Sequence, residues 1–254
     1  MLLVLDIGNT HTCLGIFDGA CLIADWRLTS EKRTGDELGI YLTGLLYMTK
    51  LDQKSITSSI ISSVVPPLEM AWREGISKYL DIEPMIVDSN VDLGIKVKYD
   101  IPAEVGADRL VNAVAAVHNY GSPVIVVDFG TAVTLDYVSS DRSYLGGAIA
   151  PGLLASVEAL FGKTAKLPLV ALESPKRAIG RSTSESMRSG IVIGYAGLID
   201  GLVDRMSQEQ KEEPKVIATG GHAETVARWS SRINIVDPNL TLEGLRLTYE
   251  RNIK

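Results

Sequence analysis

At 254 residues the chain can form one large domain or two lobes, and a chain of this size buries roughly three quarters of its unfolded surface without a disulfide or metal. Its 46% hydrophobic and 22% charged residues are ordinary for a globular protein, and a formal net charge of −6 argues against nonspecific binding to nucleic acid or an anionic membrane. The apolar stretches are too short to span a bilayer and the first residues lack a basic n-region, so a cytoplasmic location is expected.

The opening residues predict a meander with strands at about 2–6, 12–17 and 21–28 and turns at Gly8-Asn9 and Asp18-Gly19. If the second turn pairs Phe17 with Ala20, Cys21 stands opposite Ile16 and Cys13 opposite Ala24. The two thiols then point to opposite faces of the sheet and form no disulfide, which fits a reducing compartment. Helical spacing follows over 36–48, a strand over 59–65 stopped by Pro66-Pro67, a helix over 68–80 and a strand over 84–87.

The second half opens with a helix over about 108–120. A second meander follows over 124–144, then a glycine-rich turn at Gly146–Gly152 and a helix over 153–160. The longest helix is predicted over 183–208, where Ser182 and Glu185 have capping-box spacing. Gly190, Gly194, Gly197 and Gly201 share one face of it, which suggests close approach by another helix, within the lobe or across a dimer. Lys215–Gly221 reads as a strand entering a double-glycine turn that either approaches a nucleotide or simply leads into a helix. The basic residues Lys163, Lys166, Lys176, Arg177 and Arg181 read as a solvated loop face, and His11, His118 and His222 lack metal-ligand spacing.

The most informative feature is a repeat. Leu2–Thr10 is an apolar run ending in Asp6-x-Gly8 and a hydroxyl, and Val124–Thr131 has the same shape around Asp128-x-Gly130. A strand, an Asp-x-Gly turn and a second strand, present once per half, suggest a duplicated fold with its division at 117/118. Two such turns facing each other would form a nucleotide cleft. The first copy reads as a phosphate-binding turn, with N–H groups and the Asn9 and Thr10 side chains as donors and Asp6 holding magnesium through water, or as an ordinary hairpin. Asp108 reads as the N-cap of its helix or as a base for a nearby hydroxyl, and Arg109 as a surface residue or as the partner of a substrate carboxylate. No P-loop and no Gly-x-Gly-x-x-Gly after the first strand are present.

Asp6-x-Gly-Asn-Thr10, Tyr99, Gly106-Ala-Asp-Arg109, Asp128-x-Gly-Thr-Ala132, Gly146-Gly-x-Ile-x-Pro-Gly152 and Thr219-Gly-Gly together resemble the type III pantothenate kinases. The resemblance implies an α/β, duplicated actin-like (ribonuclease H-like) fold, two lobes each with a mixed sheet flanked by helices, with ATP between them. It implies ATP-dependent phosphorylation of pantothenate to 4'-phosphopantothenate, the first step of coenzyme A biosynthesis, by a homodimer that binds no nucleic acid or membrane. Asp6, Ile7, Gly8, Asn9, Thr10, His11, Thr12 and Cys13 would form the ATP phosphate segment, with Thr131 also on ATP. Tyr99, Gly106, Ala107, Asp108, Arg109 and Thr183 would hold pantothenate, with Asp108 the proton acceptor. Asp128 would bind a monovalent cation, K⁺ or NH4⁺, beside the Mg2+ at Asp6. Many members carry a lysine near the position of Cys13, so phosphate charge would rest here on backbone donors and cations. The alternatives are another small-molecule kinase of the same fold and a non-catalytic nucleotide-sensing regulator.

Overall fold

The computed structural model describes residues 1–163, 168 and 170–253, so Lys166 of the basic loop lies outside the described residues. Strands are β1 (Leu2–Ile7), β2 (His11–Asp18), β3 (Cys21–Thr29), β4 (Ser58–Ser63), β5 (Met85–Ile86), β6 (Lys96–Val97), β7 (Val124–Phe129), β8 (Ala132–Val138), β9 (Ser143–Pro151), β10 (Lys215–Gly220) and β11 (Ile235–Val236). Helices are α1 (Gly35–Met48), α2 (Pro66–Leu80), α3 (Ala107–Tyr120), α4 (Leu153–Lys163), α5 (Thr183–Gln210), α6 (Ala223–Ala227) and α7 (Leu240–Asn252).

The chain forms two compact units. The first comprises Met1–Gly94, Ile101–Ala115 and the segment from Thr241 onward; the second comprises Ile95–Asp100 and Ala116–Leu240. The chain passes from the first unit to the second between Ala115 and Ala116, and two further segments, 95–100 and 241 onward, belong to the unit opposite their neighbours in sequence. Lys96 and Val97 add a parallel edge strand beside Ser143 and Tyr144 of β9. Leu242 and Leu245 of α7 complete a core with Leu2, Val4, Phe17, Ile60 and Val111.

The first unit is a five-stranded mixed sheet in the order β3-β2-β1-β4-β5. β1 is central, paired antiparallel with β2 and parallel with β4, and its near-continuous apolar run is that of a strand covered on both faces. Alternation sends Leu3, Leu5 and Ile7 toward Leu42 of α1 and Trp72 of α2, and Leu2 and Val4 toward Val111 and Leu245. Thr34 and Glu37 close a full capping box at the head of α1. Pro66 and Pro67 open α2 at its first positions, where the missing N–H groups would be unsatisfied anyway, so the prolines start a helix more than they stop a strand.

The second unit is a six-stranded sheet in the order β11-β10-β7-β8-β9-β6. Ile125, Val127, Val133 and Leu135 pack with Met187, Ile191, Ile199 and Val203 of α5. The segment expected as a glycine-rich turn is instead strand: β9 runs to Pro151, in register with β8 through Ala132. Ser182 caps α5 by accepting from Glu185 N–H at 3.2 Å, but the Glu185 carboxylate returns to Arg181 N–H at 2.8 Å, one residue before the cap.

The register of β2 and β3 differs from expectation. Asp18 pairs with Cys21, leaving Gly19 and Ala20 as the turn, and a bulge follows between Ile16 and Phe17. Cys13 thus faces Arg27 rather than Ala24. The thiols stand five residues apart along the ladder, about 17 Å at strand rise, beyond disulfide reach.

Candidate active site

In the first unit the Asp6-x-Gly8 sequence becomes a tight turn between β1 and β2. Gly8 N–H donates to His11 O at 3.0 Å, and Ser30 N–H donates to Thr10 O at 2.9 Å, which pins the turn to β3. Asn9, Thr10 and His11 are exposed. Burial, then the charge of Arg27, holds the His11 imidazole below its ordinary pKa, so it is neutral near pH 7. The remaining residues of the segment turn inward. Ile7 lies wholly in the core, Thr12 shares a 2.9 Å hydrogen bond with Ser30, and half-buried Cys13 packs on the face that holds Val111 and Leu242. The side chains of Ile7, Thr12 and Cys13 thus pack within the sheet, and the exposed groups of the turn come from Asn9 to His11.

Asp6 is half-buried, and its Oδ1 accepts the Ser62 hydroxyl at 2.6 Å. Ser62 is completely buried and is the rung partner of Asp6 in the parallel β1–β4 pair. Nothing in the local sequence marks Ser62, because only strand register brings it to Asp6.

The Gly106–Arg109 segment opens α3 in the same unit. Val64 N–H donates to Ile7 O at 3.1 Å, and a Cβ added at Gly106 would lie 3.5 Å from Val64 Cγ1. The helix therefore starts beside the end of β1 that carries Asp6. Asp108 is not the N-cap: helix begins at Ala107, Leu110 N–H bonds Gly106 O at 3.3 Å, and Asp108 Oδ1 accepts Arg109 N–H at 2.8 Å. A carboxylate in a first turn is favoured by the helix dipole. Arg109 is buried to 9% exposure, not a surface residue, and a buried guanidinium is tolerated only where negative or acceptor groups meet it.

The second unit holds the other expected residues. Asp128 is the penultimate residue of β7, and Gly130 N–H donates to Ala132 O at 3.1 Å, leaving Gly130 and Thr131 exposed at the turn. Asp128 has Thr219 of β10 and Thr134 of β8 as rung partners. The Thr134 hydroxyl is buried without a hydrogen-bond partner. Gly220 has φ +90, and a Cβ there would strike Asp128 Oδ1 at 2.6 Å, so the position requires glycine on both counts. Half-buried Tyr99 follows β6 and lies against the Tyr144 ring, with centroids 6.5 Å apart. Thr183 is exposed at the first turn of α5. The first unit thus unites the Asp6–His11 turn with Gly106–Arg109, while Tyr99, Asp128 with Thr131, and Thr183 occupy separate elements of the second.

Among the described residues no group of three His, Cys, Asp or Glu side chains could hold a metal by itself. One carboxylate with a hydroxyl beside it suits Mg2+, which keeps water and binds mainly through substrate phosphates.

Comparison with known proteins gives consistent results. The family model for type III pantothenate kinase matches residues 2–205. The type III pantothenate kinase of Geobacillus kaustophilus (strain HTA426) is 50% identical over 253 residues, 99% of this chain and 98% of the relative. Among solved structures, (R)-2-hydroxyglutaryl-CoA dehydratase component A of Acidaminococcus fermentans aligns at TM-score 0.57 with 14% identity, covering 100% of this chain and 99% of its own. ROK hexokinase from Thermus thermophilus aligns at TM-score 0.50 with 13% identity, covering 98% of each. These two likenesses concern fold alone, and the fold is the expected α/β, actin-like one.

Proposed function

The chain belongs to the type III pantothenate kinase family, and from that premise we propose how its residues divide the work. The reaction is ATP-dependent phosphorylation of pantothenate in coenzyme A biosynthesis. The observation that carries the assignment of residues is the first unit's pairing of an exposed, donor-rich turn with the head of α3.

Phosphoryl transfer needs positioning and charge neutralisation more than covalent chemistry. The N–H groups of Asn9 and Thr10 and the side chains of those two residues receive the phosphates. Asp108 orients the primary hydroxyl of pantothenate and accepts its proton. Arg109 anchors the distal carboxylate or the neighbouring amide. Tyr99 and Thr183 also contact pantothenate, and Thr131 contacts ATP. Mg2+, when bound, supplies charge to the transferring phosphates, and Asp6 with Ser62 is its place on the protein. Asp128 holds K⁺ or NH4⁺; the Thr134 hydroxyl opposite it supports a cation there, since a buried oxygen without a hydrogen donor is a ready ligand.

We further assign a homodimer and a cytoplasmic location. A Cβ added at Gly190, Gly194, Gly197 or Gly201 would meet nothing within 4 Å, so close approach among the described residues of the chain does not explain that ridge of α5. A second copy does. No described helix is long and apolar enough to cross a membrane.

The decisive test is a coupled ADP-release assay with and without pantothenate. ADP release that requires pantothenate is the expected result. Equal release in both conditions, or release driven better by a sugar, overturns the assignment.

A further inference from the structure

The row of residues that holds Asp6 extends across the sheet. Ser62, Asp6, Cys13 and Arg27 are successive rung partners on β4, β1, β2 and β3, so all four stand on one face. The apolar part of that face packs against Ala107 at the head of α3. Two strand spacings separate Arg27 from Asp6, roughly 10 Å between backbones, a gap that a phosphate and an extended arginine side chain would fill. Arg27 is exposed, and none of the ion pairs among the described residues includes it. Its charge nevertheless reaches the turn, because it contributes to the lowered pKa of His11.

The second unit supplies a control. There the row runs Thr219, Asp128, Thr134 and Ile149, and Ile149 is 65% exposed. A cation occupies the fourth place only in the unit whose turn presents Asn9, Thr10 and His11.

We propose that Arg27 is a phosphate-binding residue of this site, its guanidinium meeting the donor's phosphates from the β3 edge. This rests on the reading that the Asp6–His11 turn receives the triphosphate. A guanidinium matches phosphate oxygens with two parallel donors, which an ammonium at the same place cannot reproduce. Neither Cys13, lying between Arg27 and Asp6, nor neutral His11 offers a permanent positive charge.

The test is calorimetric titration of the intact protein with MgATP and, separately, with adenosine, without pantothenate. In Arg27→Gln the Kd for MgATP rises about tenfold while that for adenosine stays within twofold, and Arg27→Lys loses less. Parent-like MgATP affinity in a folded Arg27→Gln, or an equal loss for adenosine, overturns the proposal. Thr10→Ala separates it from its premise. If Thr10→Ala and Arg27→Gln both leave MgATP affinity intact, the phosphates bind elsewhere; if only Arg27→Gln does, the turn stands and Arg27 is excluded.

Discussion

The two sheets share one plan. In the second unit the order β9-β8-β7-β10-β11 repeats β3-β2-β1-β4-β5, with β6 added beyond β9. Each central strand carries its aspartate one residue from the end, and each aspartate has a hydroxyl residue as parallel neighbour, Ser62 for Asp6 and Thr219 for Asp128. The differences lie where the strands turn. The first turn is closed from Gly8 to His11, the second from Gly130 to Ala132, one residue shorter. The shorter turn exposes fewer N–H donors. The first row ends at Arg27, the second at Ile149. The two units thus share the scaffold and the acid and differ in turn length and in the residue the third strand adds to the row.

This asymmetry can be broken at several points. The largest effect is expected outside the repeat, at Asp108→Asn. Turnover falls about 10²–10⁴-fold with MgATP affinity retained, measured by ADP release and calorimetry; near-parental turnover removes Asp108 from the mechanism. Asp128→Ala is expected to abolish a preference for K⁺ over Na⁺ that Asp6→Ala leaves in place, and equal parental rates in the two salts dispose of the cation site. Gly220→Ala, which forces a side chain where the first unit has Ser63 as the equivalent, destabilises by about 1–3 kcal/mol in chemical denaturation. The helix caps give less. Thr34→Ala removes a reciprocal box and costs about 1 kcal/mol, and Ser182→Ala, which removes one bond, costs about half that; a larger loss at Ser182 would reverse the ranking.

The smallest effect is acid-dependent. Hydrogen bonds from Ser139, Lys98 and Ser143 hold Asp141 well below the usual carboxylate range. A depressed folded pKa adds stability above the unfolded value, and that stability disappears as pH falls through the folded one. Asp141→Asn should therefore show a shallower decline in melting temperature below about pH 4 than the parent, and parallel declines would assign the acid sensitivity elsewhere.

Much of this was legible in the chain because it is local. Short apolar runs place β1, β2, β7 and β8, and Asp-x-Gly names both turns. What escaped depends on register or on distant partners. Ser62 and Arg27 reach Asp6's row only through pairings 56 and 14 positions away from Asp6 and Cys13. The turn at Gly19-Ala20 displaced the expected pairing of Cys21, and together with the bulge at Ile16/Phe17 it displaced that of Cys13. Asp108 looks like an N-cap by residue type, yet the helix begins one residue earlier, at Ala107. Thr34-x-x-Glu37 carries its capping box in local spacing alone. α7 gave no clear stripe, and Gly244 weakens its helical pattern because that position serves packing.

That same glycine ties chain order to assembly. A Cβ at Gly244 would fall 2.0 Å from Val111 O, so α7 presses its backbone directly onto α3 behind Asp108 and Arg109. A ribosome that has released residues 1–115 has made most of the first unit but not the helix that seals it. The nascent amino-terminal half must wait, incompletely closed, while the whole second unit is synthesised. Closure of this face of α3 thus depends on an element made only after the whole second unit.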